Sequence, residues 1–145
     1  MTDFSRRQAK ELNKLLARPP VSSRSKDATT EAFVLRYMFM EATLRMVGNY
    51  YRQRGGSSAS SAESNLNIDV VSRSLSYFDI AVHPERLGLL LDSKRVKRNA
   101  KSARQLRNGL VHRWDAGDAM EVMARQGELF EAIQGLMAAV SRRAN

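Results

Sequence analysis

The chain has 145 residues, 43% of them apolar, which suffices for one domain with a single core. It contains no cysteine, so disulfides, thiolate metal sites and cysteine nucleophiles are excluded. The formal net charge of +9 and a sequence pI of about 10.5 bias its partners toward polyanions. RNA, DNA, an anionic membrane surface and an acidic protein all satisfy that bias, with nucleic acid first. No apolar run approaches the roughly 20 residues of a membrane span, so no membrane partner is expected. Met1 to Leu16 is mixed and charged, unlike a secretory signal, and a cytoplasmic location is the expectation.

In chain order, Leu12, Leu15 and Leu16 give one apolar stripe and predict a first helix from Asp3 to Ala17, stopped by Pro19 and Pro20. A Ser- and Arg-rich linker, 21–26, precedes a second helix that starts near Asp27 to Thr30 and runs to about Tyr51. Phe33, Tyr37, Met40, Leu44 and Val47 fall at steps of four and three, and Met38, Phe39, Met46 and Tyr50 widen the stripe, so this helix is expected to be central. Glu41 lies inside the stretch, either as a site residue or as a partly buried partner of an arginine. Residues 55–66 are rich in Gly, Ser and Ala and read as a flexible loop. Neither a preceding strand nor a following Lys-Ser or Lys-Thr makes a phosphate loop of it.

A third helix is predicted from Ile68 to Val82, capped by Asn67 or Asn65, and a short fourth opens at Pro84 and ends at Leu91. Asp92 or Ser93 would cap a fifth, from Lys94 to about Trp114. After a turn at Ala116-Gly117, with Asp115 and Asp118 as cap candidates, a last helix runs from about Asp118 to Arg142. Its stripe is Met120, Met123, Leu129, Ile133, Leu136 and Val140. With no strand alternation, the expected class is an all-α bundle of five or six helices.

The segment Lys94 to Trp114 carries Lys94, Arg95, Lys97, Arg98, Lys101, Arg104, Arg107 and Arg113 and no acid. A solvated helix face ordinarily mixes signs for i, i+4 pairing, so one-signed repulsion points to an anion, and phosphate backbones fit. At about 100° per residue, Ala103, Leu106, Leu110 and Trp114 cluster on one face, with Arg104, Asn108 and His112 opposite. Arg107 and His112 diverge by about 140° on a straight helix, awkward for one compact site. Two copies of this helix meeting on a two-fold axis would bring Arg107 of one to His112 of the other. Gly109 costs the helix about 1 kcal/mol relative to Ala, so a close approach there would explain it.

Arg107-Asn108 followed by His112, late in an all-α domain of this size, resembles the HEPN superfamily, whose signature is an arginine, a polar residue next to it, and a histidine after four to six residues. The flanking Leu106 and Leu110-Val111-His112-Arg113-Trp114 are also similar to that family. The resemblance covers about ten residues. It implies a HEPN-like fold and a metal-independent endoribonuclease, without a cofactor, that works as a homodimer with a composite active site. It also implies a toxin of a toxin–antitoxin pair or an effector of phage defence, with an antitoxin, of nucleotidyltransferase or other type, as a partner. His112 would exchange the proton of a ribose 2′-OH, Arg107 would stabilise charge on the phosphate, and Asn108 would orient either group. Lys97, Arg98, Lys101, Arg104 and Arg113 would hold the RNA backbone. Two residues after His112 stands Trp114, where a subgroup has the Tyr that its antitoxin modifies; an indole has no hydroxyl for that.

The same residues also suit a non-catalytic domain that binds RNA, a nucleotide or a partner protein. A DNA-binding regulator with Lys94 to Arg107 in a groove is a third reading, without a convincing helix-turn-helix pair. His83, before Pro84, reads as structural, and two distant histidines without an acidic cluster make no metal site.

Overall fold

The computed structural model of the chain describes residues 26–54, 66–92, 94, 96, 100–113 and 115–144. They form six helices: α1 (Lys26–Gln53), α2 (Ile68–Tyr77), α3 (Pro84–Leu91), α4 (Ala103–Arg113), α5 (Ala116–Ala124) and α6 (Gln126–Ala144). Among the described residues there is no strand, so the molecule is an all-α bundle. The helix expected over 3–17 and nearly all of the Ser-rich segment lie outside them; Leu66, at the end of that segment, is buried.

α1 is the central element and packs against α2, α4, α5 and α6. Its stripe Phe33, Tyr37, Met40, Leu44 and Val47 is buried throughout, each side chain contributing about 1.5–3 kcal/mol by leaving water. Met38 was expected to widen this face and does not: it lies about 100° around the helix from Tyr37 and is exposed.

Local chemistry sets most helix ends. The Asn67 side chain accepts from the Asp69 amide at 2.9 Å and caps α2. α2 ends at Tyr77 rather than continuing to Val82. Asp79 takes a left-handed φ of 57°, the Asp79 amide donates to the Ser76 carbonyl at 3.0 Å, and the Ile80 amide donates to the Leu75 carbonyl at 2.9 Å. That pair of bonds satisfies carbonyls the helix leaves open, and buried Ile80 seals the turn. Pro84 opens α3 as expected, and His83 serves as its cap, Nδ1 accepting from the Glu85 amide at 3.2 Å. His83 is therefore accounted for structurally.

Two long helices expected from the sequence are shorter. Within the basic segment α4 begins at Ala103 rather than at Lys94, and residues 100–102 precede it without helix. Asp92 ends α3 and accepts from the Lys94 amide at 3.0 Å, and buried Ser102, rather than Asp92 or Ser93, caps α4 by accepting from the Gln105 amide at 3.2 Å. The expected last helix is two, α5 and α6, broken at Arg125. That side chain is engaged at three points: the Lys101 carbonyl at 2.7 Å, Glu121 at 2.6 Å and Glu128 at 3.2 Å. Leu129, Ile133, Leu136 and Val140 are buried as expected, whereas Met120, counted in the same stripe, is 60% exposed. Met120 lies nine residues, about 180° of helical rotation, before Leu129 and so falls opposite that stripe even on an unbroken helix.

Candidate active site

The surroundings of α4 divide by angle around its axis. Ala103, Leu106 and Leu110 face the core and are buried. Arg107 marks the flank toward α1, and Gly109 marks the flank toward α5. Between these flanks a broad arc faces outward: Arg104 and Asn108 half-buried, Gln105, Val111 and His112 exposed. The sequence-derived division of this helix into a core face and a polar face is thus present. Trp114, expected on the core face, lies outside the described residues.

On the α1 flank, Arg107 Nη2 donates to Glu41 Oε2 at 2.6 Å, and the guanidinium lies over the Tyr37 ring with Cζ 5.1 Å from its centroid. Arg107 Nε is buried and bonded to no described group. Glu41 is shared: its Oε1 accepts from Arg45 Nη2 at 3.2 Å. Burial, and next the Glu41 carboxylate, push the Tyr37 hydroxyl up to about 12, against the opposite pull of the Arg107 and Arg104 cations. Of the two roles open to Glu41 in the sequence, the arginine partner is the one observed.

On the α5 flank, Asp118 is 2% exposed and its Oδ1 receives Lys101 Nζ at 2.5 Å. The bond from Asp118 raises the Lys101 pKa above its ordinary value. Gly109 makes room for this carboxylate: a Cβ there would stand 2.9 Å from the Asp118 Cγ and overlap Oδ2. The close approach expected at Gly109 comes from that side chain. The cap of α5 is Asp115, whose Oδ1 accepts from the Asp118 amide at 3.0 Å.

The sequence-derived site residues therefore occupy different places. Arg107 and His112 are not brought together within one chain: the first turns to α1 and the second stands exposed on the arc. The side chains of Asn108 and His112 bond to no other described residue. Of the expected RNA-binding set, Arg104 Nη1 donates to the Leu66 carbonyl at 3.4 Å and Lys101 is paired with Asp118. Lys97, Arg98 and the side chain of Arg113 lie outside the described residues. Asp118 and Tyr37 were not foreseen as neighbours of this segment, because no pattern in either stretch announces a contact so far along the chain. No described group of three or more His, Asp or Glu could hold a metal. An open depression of about 440 Å³ lies between α2 and the turn after it, lined among others by Ser72, Asp79 and Leu87, away from the α4 arc.

Compared with known proteins, the chain matches no family model, no curated protein and no solved structure.

Proposed function

We propose that the protein is a metal-independent endoribonuclease of the HEPN type, active as a homodimer and serving as a toxin or a phage-defence effector. The observation that carries this reading is the outward arc of α4, which leaves Asn108 and His112 accessible beside Arg107. Val111, 50% exposed at the edge of that polar arc next to Arg107, is an apolar contact suited to a second copy of the same helix. In such a pair, Arg107 of one copy faces His112 of the other across the axis.

The chemistry then follows from the side chains. His112 takes the proton of a ribose 2′-OH, whose oxygen attacks the adjacent phosphorus. The bond to the 5′ oxygen breaks, and that oxygen takes a proton from His112 of the second copy. A 2′,3′-cyclic phosphate and a free 5′-hydroxyl result. Arg107 stabilises the charge that builds on the phosphoryl oxygens, and Asn108 orients the imidazole or the phosphate. The test is incubation of wild type and His112→Ala with total RNA in EDTA. Wild type cuts, while the variant, exposed at that position and so unchanged in fold, loses about 10²-fold or more. A wild-type dimer that cuts no RNA sinks the reading.

One observation favours a second reading, a non-catalytic HEPN-like domain binding RNA, a nucleotide or a partner protein. Arg107 already has a carboxylate partner and behaves in part as an interhelical strut. Under that reading, wild type and His112→Ala bind RNA alike and neither cuts it.

A further inference from the structure

We propose that Glu41 is a positioning residue for Arg107, holding its guanidinium in a fixed plane with one edge turned to an incoming phosphate. The proposal rests on the ribonuclease reading above. Three constraints act on Arg107 at once. The guanidinium carbon Cζ lies over the Tyr37 ring, Glu41 Oε2 holds Nη2 at 2.6 Å, and Nε is sealed from solvent. A phosphate therefore meets the outer edge, Nη1 and the remaining Nη2 hydrogen, and not the Nε edge. With 17% of its side chain exposed, Arg107 is reachable but does not sample the many rotamers of a surface arginine.

The charge count separates this cluster from a neutral strut. Glu41 is one carboxylate among Arg45, Arg104 and Arg107, all near Tyr37 or Glu41. Tyr37 is neutral there, so the single Glu41 carboxylate is outnumbered by the arginine cations around it. Such a cluster orders its arginine without cancelling its attraction for an anion. The pair on the other side of α4 differs: Lys101 and Asp118 match one to one.

The experiment uses the full chain, a cleavable RNA oligonucleotide and its 2′-O-methyl analogue, which binds but cannot be cut. Melting curves check the fold of each variant. Glu41→Gln lowers kcat at least about tenfold through lost positioning, with KM unchanged or lower. It tightens binding of the analogue about threefold by removing a competitor for Arg107. Glu41→Asp, which keeps the charge, recovers part of the kcat. In the Arg107→Ala background, Glu41→Gln changes neither quantity further. A kcat within about twofold of wild type in Glu41→Gln overturns the proposal, as does an equal loss without Arg107. If Glu41→Gln does not fold, Glu41→Asp alone decides, since the shorter side chain lowers kcat and spares KM. If wild type cuts no RNA, the ribonuclease reading fails while the binding arm still judges Glu41: unchanged binding of the analogue, or tightening that persists without Arg107, overturns it.

Discussion

The two flanks of α4 use the same pair of charges in different ways. Toward α5, Asp118 is buried, meets one lysine, and fits only because residue 109 has no side chain. Toward α1, Glu41 is 18% exposed on its side chain, divides itself between Arg45 and Arg107, and leaves the guanidinium edge of Arg107 accessible. The first flank spends its cation on holding two helices together, and the second keeps positive charge available. The surroundings of a basic residue in this segment are thus set by the acid it meets, not by its position in the basic run.

The comparison yields a graded set of expectations. The largest concerns Lys101→Met, which leaves the buried Asp118 carboxylate without its cation and, with Lys101 itself 37% exposed, should cost about 2–3 kcal/mol. Urea denaturation reads the loss, and adding Asp118→Asn should restore part of it. If Lys101→Met alone is neutral, the α5 flank is not the tighter of the two.

Next is the alkaline limb. Tyr37 ionises near 10 in an unfolded chain but only at about 12 in the fold, so folding favours its protonated form. Its contribution is intact below about pH 10 and is lost as pH rises from there to about 12, by an order of 2–3 kcal/mol. Lys101, whose pKa is also raised, loses its contribution in the same direction as the pH passes its own value. Tyr37→Phe should flatten the first part of this decline in denaturant midpoints and leave the lysine part in place.

Arg107→Ala should cost less, about 1–2 kcal/mol, between a surface pair and a sealed one. Glu41 keeps Arg45 and some solvent, and the contact with the Tyr37 ring is lost. A loss as large as that of Lys101→Met would make the α1 flank equally structural. The smallest effect is expected at Gly109. In an open helix Gly→Ala gains about 1 kcal/mol. At Gly109 the overlap with Asp118 costs about 1–3 kcal/mol, so thermal melts of Gly109→Ala should show a net loss near 1 kcal/mol.

The sequence by itself determined the features whose causes are local. The stripe of α1 could be read because steps of three and four return to one side of a helix, and it is buried as read. Asn67, Asp115 and Pro84 marked helix starts because caps act within three residues, and α4 divided into faces by the same periodicity. The outward turn of Met38 and Met120 follows from the helical angle, whereas only the tertiary structure decided where α4 begins and where α5 gives way to α6. It also assigned the partners of the charges. Lys101 meets an acid 17 residues on and Arg107 one 66 residues back, distances over which sequence periodicity carries no phase. The divergence of Arg107 and His112 was legible from the helical angle. The cause that keeps Arg107 at its edge, a carboxylate and a ring on α1, is a packing outcome that no local pattern encodes.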